Sequence, residues 1–385
     1  MTAHDDTAPP LPTDGLELRS TVTDDGIVTM ALQRSDVAPP ADDEVVVRIE
    51  AAPINPSDLG MMFAMADLER AEAAGAGGLP AVSAPISPRA LAEQAGRLNR
   101  AMPVGNEGGG TVIATGSSAA AQALAGRVVG VLSGNAYAQY RTVKVAQCLP
   151  MAEGTDPADA AAAFVNPLTA LGMIETMHAE GHTALVHTVG ASNLGLMLNR
   201  LCLADGIGLV NIVRRREQAE SLRAEGATHV CVSSAEDFGD QLLAALRATG
   251  ATIAFDAIGG GDLASTLLSS MERVASEHKS EFSRYGSDTL KQVYIYGRLD
   301  RGPTTLRRDF GMSWSVGGWL LTPFLMKIGQ EAAERLRQRV ADEITTTFAS
   351  TYGLRVSLEE AVDPDVVRRY GRMATGEKAL VTPHA

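Results

Sequence analysis

The sequence predicts an α/β fold in which a mostly β domain, its strands closing partly into a barrel, precedes a doubly wound parallel sheet. Three observations predict it. Up to about residue 150, short strands punctuated by glycine dominate: EVVVRIE, GGGTVIATG (108–116), RVVGVLSG (127–134) and YAQYRTVKV (137–145), the pattern of an antiparallel β domain. From Ala184 onward, the apolar runs ALVHTVG, GLVNIVR, HVCVSS, IAFDAIG and QVYIYGR alternate with helical stretches such as LGLMLNRLCLADG and EQAESLRAEGA, and that alternation specifies a parallel sheet. The 385 residues are enough for two or three domains, each with its own core.

Taken in order, residues 1–15 read as a disordered leader and 16–157 as the β domain. Within it Val45, Val46, Val47 and Ile49 start a strand that gives way at AAPINPSD to a loop. Residues 64–103, rich in Ala, Gly and Pro, read as a surface insertion in which only RALAEQAGRLNRA is helical. Helical segments begin at Asp156, and 158–304 form the dinucleotide-binding domain. Residues 305–385 read as a return segment completing the β domain: a Trp/Gly stretch, a charged amphipathic helix and a closing TGEKALVTP strand.

Composition narrows the function. Acidic residues outnumber basic ones 46 to 33, for a net charge of −13, and no Lys/Arg block is present to follow a phosphate backbone, which argues against nucleic acid as a partner. Cys148, Cys202 and Cys231 are far apart without a CxxC pair, so neither a disulfide framework nor a cysteine-built zinc site is expected. The N-terminus carries Asp5 and Asp6 and no apolar core of a signal peptide. The longest charge-free stretch, Gly311 to Met326, contains Pro323 and is shorter than the ~20 residues of a membrane span. A cytoplasmic protein without membrane partners is expected.

The cofactor signal lies in TVGASNLGLMLNRL, where Gly190, Ala191, Ser192, Asn193, Leu194 and Gly195 form a small-residue turn from strand to helix. Such a turn brings backbone N–H groups and the positive end of a helix to a pyrophosphate, although Asn193 departs from the GxGxxG spacing. The next strand ends in Arg214, Arg215 and Arg216 where an NAD-binding chain places an acid for the ribose 2′-OH. Guanidinium groups there can grip a 2′-phosphate, so the expected cofactor is NADPH.

INPSD (54–58), GNEGGGTVIATG (105–116), NAYAQYRTV (135–143), VNPLTALGM (165–173) and the cofactor loop occur in one order, and with them the chain, from about Leu16 onward, resembles the medium-chain dehydrogenase/reductase superfamily. It is most similar to the zinc-free quinone oxidoreductases and 2-enoyl thioester reductases. The resemblance implies a Rossmann-type domain and a GroES-like catalytic domain, with NADPH held by Arg214 and Arg216 and contacted by Thr169, Tyr296 and Gly297. The positions of the superfamily's catalytic zinc ligands align with Asn55, Asn106 and approximately Val165, which supply neither thiolate nor imidazole.

Reduction without a metal needs an electrophile already polarised, such as a quinone or an α,β-unsaturated carbonyl, and hydrogen bonds to the oxygen that gains charge. Asn55 and Asn106 either donate such bonds, fix the nicotinamide amide, or cap backbone in their turns; Ser57 can relay a proton, while Asp58 and Glu107 orient neighbours. Relatives carry a tyrosine about eleven residues past the first of these asparagines, where this chain has Ala66. Tyr137 is the substitute donor or a packing residue. Phe63, Phe310 and Trp314 are assigned to a substrate pocket, and QVYIYGR with the apolar stretch to Met326 to a homodimer contact. The expected function is an NADPH-dependent quinone or enone oxidoreductase; a 2-enoyl thioester reductase and a non-catalytic NADPH-binding protein are the alternatives.

Overall fold

A computed structural model describes residues 11–76, 78–277 and 283–385. It divides into two units, the first comprising the chain up to Val165 with Ala341–Thr345 and Ala349–Ala385, the second Asn166–Val340 with Thr346–Phe348. Residues 1–10 of the expected leader lie outside the described residues, and Asp14 already opens a strand, Asp14–Val22, whose alternating burial marks one face as core.

The first unit holds two sheets. One runs in the order Glu72–Ala76, Leu79–Pro85, Ile27–Asp36, Asp14–Val22, Met102–Pro103. The other runs Cys148–Pro150, Val128–Leu132, Glu107–Thr115, Glu44–Pro53, Ala379–Val381, Leu354–Val356, with Tyr140–Lys144 also on Glu44–Pro53. Neither closes into a barrel among the described residues. The β-branched run Val45–Val47 lies at the heart of this unit's core, as its strand propensity requires.

The insertion is not a surface appendage. Leu79–Pro85 pairs antiparallel with Ile27–Asp36 from Ile27↔Pro85 to Ala31↔Ala81, and Val82 and Ala84 join the core beside Val28 and Met30. Alanine and glycine carry little strand propensity, so this hairpin is specified by the edge it covers rather than by its own periodicity. The helix expected in RALAEQAGRLNRA is cut to Pro88–Ala92 and a 3₁₀ turn, Ala95–Arg97.

Arg97 then reaches back to the helix Pro56–Phe63. It donates to Met61 O (2.8 Å) and to Ser20 Oγ (2.6 Å), and the Ser20 hydroxyl donates to Met62 O (2.7 Å). A cation at carbonyls of a helix's last turn is favourable. Arg97→Ala is therefore expected to destabilise the protein by about 1–3 kcal/mol, the scale of hydrogen bonds from a charged donor. Thermal denaturation checks this, and an unchanged Tm would remove Arg97 as a brace.

The second unit is built on a parallel sheet in the order His229–Val232, Gly208–Val213, Ala184–His187, Ile253–Asp256, Lys291–Ile295, Trp314–Gly318. Its first five strands are the five apolar runs of the sequence. The sixth lies in the segment read as returning to the β domain: Trp314–Gly318 pairs parallel with Lys291–Ile295 from Lys291↔Trp314 to Ile295↔Gly318. Residues 305–340 thus belong to the second unit; Gly317 and Gly318 mask a strand whose register comes from its neighbour. Late in the chain, Ala379–Val381 pairs antiparallel with Glu44–Pro53. None of the described helices is long and apolar enough to cross a membrane.

Candidate functional site

In the second unit, the strand Ala184–His187 leads through Thr188, Val189, Gly190 and Ala191 to Ser192, the N-cap of the helix Asn193–Asp205; Ser192 Oγ accepts the Gly195 N–H at 3.1 Å. Gly195 is obligatory: a Cβ there would stand 2.2 Å from Gly190 O, so turn and helix meet backbone to backbone, while a Cβ on Gly190 would stand 2.8 Å from the side-chain Oδ1 of Asn211 on the neighbouring strand. Val189 adopts a φ of +56°, an uncommon conformation for a β-branched residue and a mark of a loop held for function.

The strand Gly208–Val213 ends at Arg214, Arg215 and Arg216, all exposed. Gln218 Oε1 accepts the N–H groups of Arg214 and Arg215 at 3.1 and 3.0 Å, fixing the backbone while none of the three guanidinium groups forms an ion pair among the described residues. A helix N-terminus, a turn of small residues and exposed guanidinium groups form a donor set suited to a phosphorylated dinucleotide.

Thr169 is buried on the helix Val165–Ala179. Tyr296 and Gly297 follow the strand Lys291–Ile295, but the Tyr296 hydroxyl shares a 2.7 Å hydrogen bond with the fully buried His187 Nε2, so it is turned inward. Phe310 is core, 0 % exposed, and meets the half-buried Trp314 edge-on at 4.9 Å. Phe63 packs near Tyr370 in the core of the first unit. Phe63 and Phe310 are thus enclosed in the cores of their units, and Trp314, half-buried on the edge strand, packs against Phe310.

The first unit gathers most of its sequence-predicted polar residues at the end of Glu44–Pro53. Asn55 is the N-cap of Pro56–Phe63, and its N–H donates to Asp58 Oδ2 at 2.8 Å. Asp58 Oδ1 accepts the Asn106 N–H at 2.8 Å. Asn55 Nδ2 donates to Glu107 Oε1 at 2.9 Å, and Glu107 Oε2 accepts the N–H groups of Phe164 and Val165 at 2.8 and 2.9 Å. Asn55 and Asp58 are 1 % exposed and Glu107 0 %. Ser57, by contrast, is exposed, and its Oγ accepts from Asn106 Nδ2 at 3.1 Å.

The four candidates therefore separate. Ser57 and Asn106 form a linked pair of side chains at the surface of the unit; Asn55 faces inward; Tyr137 is 0 % exposed and its hydroxyl donates to Pro53 O at 3.0 Å. That geometry gives Tyr137 the packing role, because a hydroxyl committed inside the core is not presented to a substrate.

Burial lifts the Asp58 carboxyl to about 7 despite the two N–H donors that favour its anion. Burial also raises Glu107, opposed first by the charge of Lys378 and then by its N–H donors. Lys378 is itself lowered to about 8 by burial, against the pull of Glu107 and Asp58. The sequence reading gave Asp58 and Glu107 only supporting roles and passed over Lys378 within a closing strand; a lone lysine opening the apolar run ALV was the available signal. Among the described residues no three His, Cys, Asp or Glu side chains converge to hold a metal, and the three cysteines are buried.

No protein-family model matches the chain. A mitochondrial enoyl-[acyl-carrier-protein] reductase of Xenopus tropicalis is 29% identical over 215 residues, 52% of this chain, and the match spans 51% of that protein, about half its length. Among solved structures, a protein assigned as an NADPH:quinone reductase from Mesorhizobium loti superposes with a TM-score of 0.71 at 25% identity, covering 97% of this chain and 100% of that one. A complex of Etr1p with NADP and crotonyl-CoA has a TM-score of 0.65 at 18% identity, covering 96% and 99%. The fold is a two-unit α/β type whose second unit is built on a parallel sheet. More particularly, it is that of the medium-chain dehydrogenase/reductase superfamily, and the chain is similar to its quinone oxidoreductases and enoyl reductases.

Proposed function

We propose that the chain is an NADPH-dependent, zinc-independent oxidoreductase that reduces a quinone or an α,β-unsaturated carbonyl compound in the cytoplasm. The observation that carries this reading is the row of unpaired guanidinium groups at Arg214–Arg216, on the strand next to the turn framed by Gly190 and Gly195. The turn and the N-terminus of Asn193–Asp205 hold the pyrophosphate, and Arg214 and Arg216 hold the 2′-phosphate. NADPH, when bound, supplies hydride to the electrophilic carbon of the substrate.

The residues of the first unit act on the substrate oxygen. Because Asn106 Nδ2 already donates to Ser57 Oγ, the Ser57 hydroxyl proton is available for an oxygen that gains charge, while the buried Asn55, bonded to Glu107, caps and positions the turn that carries Ser57. Zinc independence is supported by the amides of Asn55 and Asn106 and the hydrocarbon of Val165 at the aligned ligand positions.

A second reading, reduction of a 2-enoyl thioester, is favoured by the similarity to the enoyl-[acyl-carrier-protein] reductase. Steady-state oxidation of NADPH with 9,10-phenanthrenequinone, an enone and a crotonyl thioester in parallel separates the two. Tight NADPH binding without turnover of any acceptor would leave a non-catalytic NADPH-binding protein, and stoichiometric bound zinc would overturn the metal-free reading.

A two-fold homodimer accompanies this proposal. Trp314–Gly318 is the last strand of its sheet, and Met312, Leu320 and Met326 around it are 73 %, 65 % and 72 % exposed, an apolar edge suited to a second copy. Light scattering is expected to give twice the 40.3 kDa of one chain; the mass of a single chain at micromolar concentration would argue against the dimer.

A further inference from the structure

The Lys378 ammonium is out of solvent and has no hydrogen-bond partner among the described residues. The ring of Tyr352 lies beneath it, 5.7 Å from Nζ to centroid. The backbone fixes it there: Lys378 O accepts the Gly353 N–H at 3.1 Å, and the next residue, Ala379, accepts the Ile54 N–H at 2.9 Å. The strand carrying the lysine is therefore sewn to the residue preceding Asn55.

A buried ammonium without a hydrogen bond is costly unless a nearby anion compensates it. The antiparallel register Leu380↔Pro53 sets Lys378 across from Asn55, which is bonded to the two buried carboxyl groups of Asp58 and Glu107, so these are the groups placed to compensate the ammonium, in keeping with their pull on it. Glu107 is the one arranged to remain an anion: it accepts N–H groups from Asn55, Phe164 and Val165, whereas a protonated carboxyl would need an acceptor that none of these three groups offers. Neutralising Glu107 would thus oppose the hydrogen bond that orients the Asn55 carboxamide.

We propose that Lys378 is a positioning residue, whose charge keeps Glu107 a carboxylate and through it holds the carboxamide of Asn55 in one orientation. The kinetic consequence rests on the oxidoreductase reading above; the electrostatic one does not. In Lys378→Met, infrared spectroscopy at neutral pH is expected to show, in addition to the band of Asp58, which burial lifts to about 7, a protonated carboxyl stretch that is absent from the unmodified protein and from the Lys378→Met/Glu107→Gln double variant. kcat is expected to fall about tenfold or more, the scale of a misplaced group, with NADPH affinity unchanged and with Lys378→Arg restoring most of the rate. Lys378→Gln carries the same expectations and is the second variant.

A Glu107-dependent band with no turnover by the unmodified protein would sustain the Lys378–Glu107 link and fail the functional reading. Absence of that band in folded Lys378→Met and Lys378→Gln would overturn the proposal. If both neutral variants fail to fold while Lys378→Arg folds, the requirement for charge stands; if Lys378→Arg fails as well, the side chain serves packing and the proposal falls.

Discussion

Replacing Arg214 and Arg216 together by alanine is expected to weaken NADPH binding by tenfold or more and to leave NADH binding nearly unchanged. Each charge-assisted contact with a 2′-phosphate is worth on the order of 1.5–3 kcal/mol, but these side chains are exposed and salt screens them, so the lower end of their sum applies. The backbone of the turn survives the change, because Gln218 binds main-chain N–H groups of Arg214 and Arg215 rather than side chains. Fluorescence titration with both cofactors at low and high salt measures the effect. NADH has no 2′-phosphate to lose, so equal affinity of the unmodified protein for the two cofactors would sink the assignment.

That prediction rests on what was most legible in the sequence. In a parallel sheet each strand is buried on both faces and reads as a continuous apolar run, which is why Ala184–His187, Gly208–Val213 and Ile253–Asp256 stood out. The arginines were legible because position alone, at the end of the second strand, gives them their meaning. Elements defined by a partner far along the chain were not. Leu79–Pro85 becomes a strand by pairing with Ile27–Asp36, and Trp314–Gly318 by pairing with Lys291–Ile295; neither segment announces this in its own composition.

The same limit applies to the candidate site. Asn-Pro-Ser-Asp and Asn-Glu-Gly marked two loops that hydrogen bonds join, but which groups face inward depends on contacts 48 to 58 residues apart, from Asp58 to Asn106 and from Glu107 to Asn55, Phe164 and Val165. Tyr137 was named for its chemistry and is placed by its packing. Lys378, with its ammonium among these groups, sits at the far end of the chain, where no local pattern links it to them.

Asn55→Ala is expected to lower kcat by about 10²-fold with little change in NADPH affinity, the scale of a misplaced group, because Asn55 caps the turn that presents Ser57. The geometry adds a structural cost, since Glu107 Oε1 loses the Asn55 donor at 2.9 Å, so the variant's Tm must be read beside its kcat. Asn55→Asp separates the two effects. It keeps the shape of the side chain but sets a carboxylate against Glu107 in a buried site, where like charges drive one of the pair to protonate, and it is expected to be the more damaged enzyme. Tyr137→Phe is the opposing control: its hydroxyl is bonded to Pro53 O, so its loss is expected to cost about 1 kcal/mol of stability and to leave kcat within a few-fold. A large fall in kcat for Tyr137→Phe, with Asn55→Ala nearly silent, would transfer the donor's role from Ser57 to Tyr137 and leave Asn55 a helix cap without kinetic weight.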